Sequence, residues 1–563
     1  WEFSKDGSNW ETVAVPHSYN AEDGHSPYYY RGKATYRCDL RITDIKKTHY
    51  LFFEGAAQAA VVKVNGEQVA IHKGGYTPFS VNITEALAKG VNRLEVICDN
   101  TEDVQMAPVT SDFNKNGGLH NPVWLLVMED VYLTPEDYGM YRIRCEIPEV
   151  TKKKVVTNVR TKIVNSGNRD ANILVRVQLL ESNGQLAYQA DREIPVGAFS
   201  EYDFDHEFLL SGVHLWDGVK DPYLYTLRVE LFKGKRMMDI AETKIGYRSI
   251  EMDPERGFLL NGRPYRLRGL AMHQDTDGKA SALTQADYRR DYRIVKELGA
   301  NFLRLAHYPH NDFAFQQCDS LGIIVQTEVP WVNVCGENAP QSYFNNIHHQ
   351  MKEMVNNLYN HPSIAFWGMW NELDTWGNNS DLQGAFDAER VARETKRLYE
   401  YTKSLDPDRY VGFTDCSRLA RDGYPYLKGD FCSQNIYYGW YWTPNDFSGL
   451  TTSLKKVREL RPDCPINLSE YGVGINPFCH VWNQADAVRD KEDDSRHYEE
   501  YGNRFHESYV RQIKAMPWLN FTSVWVLFDF PVANRQEGYM DSEDGVKFVR
   551  NNDRKYMNDK GLV

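Results

Sequence analysis

Hydrophobic positions along the 563-residue chain change their period twice. Up to about residue 135 they form short alternating runs broken by turn residues, as in "YLFFEGAAQAAVVKVNGEQVAIHKGGYTPFSVNIT" and "NRLEVICDN". A period of two between Gly and Asn punctuation predicts antiparallel strands, and so many of them predict an all-β sandwich over residues 1–135. From 136 to 247 a second set appears. "NILVRVQLLESNGQLAYQA" offers two strands around Asn183-Gly184, and "LYTLRVELFKGKRMMDIAETKI" offers two more around Gly234. A smaller immunoglobulin-like β-sandwich accounts for these.

After "GYRSIEM" strands and helices alternate to the end of the chain, residues 248–563. Apolar strands are predicted in "YRLRGLAMH", "NFLRLAHY", "GIIVQTEVPW", "SIAFWGMWNE", "YVGFTDC", "FCSQNIYY", "PINLSEYG" and "FTSVWVLFDF". Between most of them lie helical patterns such as "TQADYRRDYRIVKELG", "NNIHHQMKEMVNNLYNH", "AERVARETKRLYEYTKSL" and "HYEEYGNRFHESYVRQIKAM". Eight strands alternating with helices over about 300 residues predict a (β/α)8 TIM barrel. An open doubly wound sheet would carry a Gly-rich phosphate turn after an early strand, and none is present. The ending "NDKGLV" leaves no segment for an eighth helix, so the expectation is a chain truncated inside or just after its barrel. A start at Trp1 with no signal-like segment predicts a trimmed N-terminus and leaves the compartment open.

Composition narrows the partners. A net charge of -13 repels nucleic acid and anionic membrane surfaces, and no apolar stretch approaches the roughly 18 to 20 residues that span a bilayer. A neutral or small partner is expected, with homo-oligomerisation left open. Nine cysteines without a CxxC pair read as free thiols, Cys98, Cys145 and Cys318 among them in apolar contexts. Aromatic residues make up 13% of the chain, which suits flat apolar faces for sugar rings but equally fills cores.

A barrel places its chemistry at the C-terminal ends of its strands. Strand one ends at His273, strand two at His307-Tyr308, strand three near Glu328, strand four at Asn371-Glu372 and strand seven at Ser469-Glu470. Singly, a glutamate ending a strand is most often a solvated or capping group, and a histidine a structural one. Five polar ends on one rim are different. Two carboxylates held close resist ionising together, an arrangement suited to a proton that cycles between two roles. On a barrel rim beside aromatic rings, such a pair is the apparatus of glycoside hydrolysis. Glu372 follows an apolar strand with Trp367 and Trp370, where desolvation would favour a general acid. Glu470 has Tyr471 beside it and Tyr437 on the neighbouring strand end, hydroxyl donors that favour the anion of a nucleophile.

At these residues the sequence closely resembles glycoside hydrolase family 2, the family of β-galactosidases and β-glucuronidases, and the resemblance covers essentially the whole chain. "WETVAVPHSYN", "YYRGKATYRCDL", "VKVNGEQVAIHKGGYTPFSVNIT" and "NGGLHNPVWL" resemble the family's sugar-binding jelly roll, an all-β sandwich. "RGLAMHQD", "NFLRLAHYPHND", "WGMWNE", "NIYYGWY", "INLSEYG" and "VWVLFDF" resemble its catalytic signatures. The resemblance implies a retaining exo-β-glycosidase working through a covalent glycosyl-enzyme intermediate. It assigns Glu372 as acid/base, Glu470 as nucleophile, Tyr437 as the residue that orients it and Arg304 as its support. It assigns Asn371 to the sugar 2-hydroxyl, His273 and His307 to the substrate pocket and Trp525 to an aromatic pocket floor. Asp112 in "SDFNKNGG" matches an acidic residue that the jelly roll reaches into the cleft to hold sugar hydroxyls.

Two departures stand out. Many relatives carry Arg-His-Glu where this chain has Met272-His273-Gln274, which alters pocket polarity. "VPWVNVCG" after Glu328 lacks the Glu and His with which magnesium-dependent members bind their metal, so no required cofactor is expected. The family's mannosidases differ where this chain has "LRLAHYP". Glucuronidases grip the substrate carboxylate with Asn-x-Lys, a spacing that Asn558-Asp559-Lys560 fits. "NDKGLV" also occurs in galactosidase-like members, and "SEYGVGINPFCH" and "VLFDFPVANRQEG" resemble those more. The expectation is therefore a β-galactosidase, with a β-glucuronidase or related uronidase as the alternative. A non-catalytic carbohydrate-binding protein on a barrel scaffold is the remaining class.

Overall fold

The structure, a computed structural model, describes residues 1–151, 153–373, 380–416, 427–490, 496–533 and 556–563. All eight expected barrel strands form and close in sequence order: Leu267–Met272, Phe302–Leu305, Ile324–Glu328, Ile364–Asn371, Tyr410–Asp415, Phe431–Asn435, Ile466–Glu470 and Phe521–Val524. Parallel strands buried on both faces read as near-continuous apolar runs, which is why each was visible in the sequence. Amphipathic helices cover the outside. The helix Gln285–Glu297 starts in a capping box between Thr284 and Asp287, and Asp312–Leu321 starts under the Asn311 side chain. It stops at Gly322, which has φ of 75° and where a Cβ would lie 2.1 Å from the Gly218 backbone.

The barrel interior is layered. Phe302, Phe366, Phe431 and Phe521 come from strands two, four, six and eight, and their rings meet at centroid distances of 4.4 to 6.2 Å. Alternate strands supplying one layer is the packing rule of such barrels. Two positions further on, at period two, the same strands carry Arg304, Gly368, Ser433 and Ser523. One long side chain thus shares its level with a glycine and two serines. A Cβ on Gly368 would lie 2.5 Å from the Glu328 Cβ, so this small layer makes room for a charge pair. Below the phenylalanines, Trp216, Phe258 and Leu260 close the floor.

The first sandwich pairs a six-stranded sheet with a three-stranded one, around a core that includes Phe3, Tyr36, Phe53, Val62 and Val96. In the second sandwich, Val155–Asn165 pairs with Val131–Leu133, Arg144–Val150 and Ser200–Leu210, opposite a four-stranded sheet. Its alternating apolar positions, Val159, Ile163, Val175, Val177, Leu227 and Val229, form a separate core. All nine cysteines are free thiols, six of them buried, Cys98, Cys145 and Cys318 included. No helix among the described residues is long and apolar enough to cross a membrane.

The second sandwich docks on the barrel through a buried charge cluster. His361 bridges Asp319 (2.6 Å) and Asp312 (3.0 Å), and the Tyr141 hydroxyl donates to Asp312 (2.8 Å). Burial disfavours the imidazolium, but the Asp319 and Asp312 carboxylates outweigh it and raise the His361 pKa to about 10. Because this lies above the unfolded value of about 6.5, the stabilisation is complete below pH 6.5 and fades as pH rises through about 10. His361→Gln should therefore cost about 3 to 5 kcal/mol near pH 6.5. In paired denaturant titrations the difference from the wild type should shrink by pH 10.5, and a gap independent of pH would contradict this.

Candidate active site

Strand two, "NFLRLAHY", sends Leu303 and Leu305 out to the helices and Phe302 and Arg304 into the barrel. Arg304 has no exposed surface. Its Nη1 donates to Glu470 Oε1 (2.5 Å), and its Nη2 donates to Glu328 Oε1 (2.8 Å) and Asn371 Oδ1 (2.8 Å). Nε reaches Glu328 Oε2 at 3.3 Å, and Gln326 Nε2 donates to the same oxygen at 3.0 Å. Burial opposes the guanidinium charge, but Glu328 and Glu470 overcome this and hold its pKa above its ordinary value. Burial likewise opposes the Glu328 carboxylate, and Arg304 and His307 bring its pKa down to about 2. Both shifts favour the ionised pair.

Glu470 ends strand seven and accepts a second bond, from the Tyr437 hydroxyl at 2.7 Å. Burial and the Glu470 charge raise the Tyr437 pKa well above its usual value, so it remains a donor. Glu372 follows the bulge at the end of strand four and takes φ of 50°, a left-handed turn rare for a non-glycine residue. Asn435 Nδ2 donates to Glu372 Oε1 at 2.6 Å and to Asn371 Oδ1 at 3.2 Å, and Ser469 Oγ donates to Asn435 Oδ1 at 2.8 Å. Since Arg304 and Asn435 both donate to Asn371 Oδ1, its Nδ2 is left to donate elsewhere.

The pocket wall is aromatic. His307 stacks on Trp525 (5.1 Å, 26°), and His273 meets the Trp525 ring edge-on at 5.4 Å. His307 Nδ1 pairs with Glu328 Oε1 at 2.8 Å, and its Nε2 lies 3.9 Å from Glu470. Burial above all, with Arg304 nearby, pushes the His273 pKa far down, so the ring stays neutral. Its Nδ1 meets the Tyr308 hydroxyl at 3.2 Å, and its buried Nε2 has no partner among the described residues. From the first sandwich, Phe113 packs on His273 (5.2 Å) and His307 (5.9 Å), one residue after the expected Asp112. Tyr76 stacks on Tyr308 at 4.0 Å. Gln274, a departure expected to alter the pocket, instead ties loops together. It accepts from Asn311 N (2.7 Å) and donates to Ser281 O (3.0 Å) and Asn121 Oδ1 (3.3 Å).

Residues 556–563 return to this face. Asn558 pairs with Phe530 in a short antiparallel ladder, Ile475 N donates to Asp559 O, and Val526 N donates to Lys560 O. Asn558 and Lys560 are both 1% exposed. Lys560 Nζ lies 4.9 Å from the Tyr441 ring centre and 5.6 Å from that of Trp440, while Asp559 pairs with His497. Tyr441 in turn packs edge-on against Tyr437 at 5.2 Å.

The structure thus gathers Arg304, Glu470, Tyr437, Asn371 and Glu372 into one hydrogen-bonded set, with His273, His307 and Trp525 as its wall. Two expected surroundings differ. The Trp367 and Trp370 indoles donate to Asp406 (2.9 Å) and Thr395 (2.9 Å) on the helical side, so Asn435 rather than tryptophan lines Glu372. Tyr471 packs away against Tyr509, leaving Tyr437 as the tyrosine on Glu470. The sequence puts Glu328 on the rim but gives it no role, and nothing in "NIYYGWY" marks Asn435. Part of the quoted "VLFDFPVANRQEG", residues 534–538, lies outside the described residues.

Comparison with known proteins agrees with this architecture. Residues 252–555 match the model for "Glycosyl hydrolases family 2, TIM barrel domain", 142–248 that for "Glycosyl hydrolases family 2", and 12–122 that for "Glycosyl hydrolase 2 galactose-binding domain-like". A β-glucuronidase of Bacteroides fragilis is 30% identical over 98% of this chain and 76% of its own length. A crystal structure of a putative β-galactosidase from Bacteroides fragilis superposes with a TM-score of 0.90 at 28% identity, over 100% of this chain and 81% of that one. Bacteroides uniformis β-glucuronidase 2, covalently bound to cyclophellitol-6-carboxylate aziridine, gives a TM-score of 0.89 at 28% identity, over 100% of this chain and 66% of that one.

Removing the hydroxyl that Tyr437 gives to Glu470 tests the geometry without disturbing the core. Tyr437→Phe should lower kcat on an aryl β-glycoside about 10²- to 10³-fold, as for other lost donors to a reacting oxygen, with KM and melting temperature little changed. A kcat within a few-fold of wild type would remove Tyr437 from the site.

Proposed function

Since the chain belongs to glycosyl hydrolase family 2, we propose that it is a retaining exo-β-glycosidase whose preferred substrates are β-D-glucuronides. The chemistry rests on one observation: Glu470 is held by two donors, Arg304 and Tyr437, which stabilise its anion and aim it. Glu470 attacks the anomeric carbon and forms a glycosyl-enzyme, while Glu372, half-buried and oriented by Asn435, protonates the departing oxygen. Glu372 then takes a proton from the water that releases the sugar, which restores both carboxyl groups. Asn371, whose carbonyl oxygen is already engaged, gives its Nδ2 to the sugar 2-hydroxyl. Neutral His273, with His307, Asp112 and Trp525, holds the rest of the ring. The reaction runs on carboxylates and calls for no cofactor.

The uronide preference is supported by Lys560. A substrate carboxylate entering a dry cleft needs a cation, and the buried Lys560 ammonium sits one aromatic ring beyond Tyr437. Asn558, ordered by the Phe530 ladder, stands beside it as a neutral donor. The glucuronidases among the similar proteins support the same choice. The similarity to a putative β-galactosidase, and the galactosidase-like segment after Glu470, favour a second reading as a β-galactosidase.

A panel of nitrophenyl glycosides separates the two. On glucuronide, kcat/KM should exceed that on galactoside by about 100-fold or more, and Lys560→Ala should remove about 30-fold or more of the glucuronide activity, the cost of a lost charge partner. Galactoside activity should change only a few-fold in that variant. Faster galactoside turnover that ignores Lys560 would establish the second reading, and turnover of no glycoside in the panel would leave only a binding protein.

A further inference from the structure

The helix Gln341–Leu358 presents a row of polar side chains to the first sandwich. Asn346 Nδ2 donates to Lys73 O (2.8 Å), Gln350 Nε2 to Ala107 O (3.0 Å), and Glu353 Oε2 accepts from Thr77 Oγ1 (2.6 Å). On this row three ligating groups meet. His72 comes from the sandwich strand Glu67–Lys73, and His349 and Glu353 lie four residues apart on the helix. His72 Nε2 is 3.0 Å and His349 Nε2 2.9 Å from Glu353 Oε1, and the three atoms all lie within 4.8 Å of one another. None of them belongs to the catalytic set.

We propose that His72, His349 and Glu353 bind a zinc-type divalent cation that clamps the first sandwich to the barrel. Two imidazole nitrogens and one carboxylate oxygen suit a borderline transition ion, whereas calcium and magnesium ask for oxygen. Histidine nitrogens about 3 Å from the carboxylate oxygen, with all three donors within 4.8 Å, need only a modest rearrangement to surround an ion at about 2.0 to 2.1 Å, with solvent in the fourth position of a tetrahedron. The donors are also braced. Thr77 holds the other Glu353 oxygen, and the His72 ring stacks on Phe79 at 3.9 Å. An approach exists as well, because a cavity of about 230 Å³ is lined by His349 and Glu353 together with Glu136, Asp137 and Lys352. The clamp has a place to act. Tyr76, four residues after His72, stacks on Tyr308 at the wall of the cleft.

The site stands apart from the choice of sugar. Tag-free full-length chain, stripped with EDTA, should take up one equivalent of Zn²⁺ at pH 7.5 by isothermal titration and by metal analysis after gel filtration. Uptake should weaken at least tenfold at pH 5.5, where protons compete for the histidines. His349 is 55% exposed, so His349→Ala should fold and unfold like the metal-free wild type. It should lose the equivalent and the zinc-dependent rise in melting temperature. His349→Gln, which keeps a polar side chain, should lose both as well. Less than one equivalent in the wild type, or unchanged uptake in both variants, overturns the proposal.

Discussion

Inside the barrel a guanidinium with no exposed surface lies between the carboxylates of Glu328 and Glu470. An unpaired charge there would cost several kcal/mol, so each neighbour of Arg304 is constrained to keep it paired. Glu470 is thereby held at a set position, and Asn371 is turned with its oxygen inward. The pair needs space, which Gly368 provides by lacking a Cβ where the Glu328 stem passes. It needs a floor too, and four phenylalanines from alternate strands fill the layer beneath. Glu470 is thus positioned by a rigid scaffold rather than by a loop.

The first sandwich completes one side of the cleft. Asn116 donates to Ser281 Oγ at 3.1 Å and Phe113 packs against two barrel histidines, so the segment that carries Asp112 is held against the barrel. Gln274 links Asn121 of the sandwich to the loops after strands one and two. The wall of the cleft is therefore shared between domains, and the seam along Gln341–Leu358 bears on it through Tyr76, which stacks on Tyr308.

The barrel strands were legible because burial on both faces writes them as continuous apolar runs. The same property hid which way each side chain faces. Trp367 and Trp370 stand beside Glu372 in sequence, yet their indoles turn to Asp406 and Thr395 on the helical side. The bulge before Asn371 and the left-handed turn at Glu372 are backbone features with no signature in the residue pattern. Glu328 could be placed on the rim, but its pairing with Arg304 depends on register between strands two and three. Glu353 and His72 lie 281 residues apart, beyond any local pattern.

The central claim is that Glu470 forms the bond to sugar and Glu372 moves the protons. Glu372→Ala treated with a dinitrophenyl β-glycoside tests it, because an activated leaving group departs without an acid while the second step lacks its base. Mass spectrometry should show a glycosyl adduct on Glu470, and azide, a nucleophile that needs no base, should release it as the β-glycosyl azide. An adduct on Glu328 or another residue, or an azide of inverted configuration, would contradict the account.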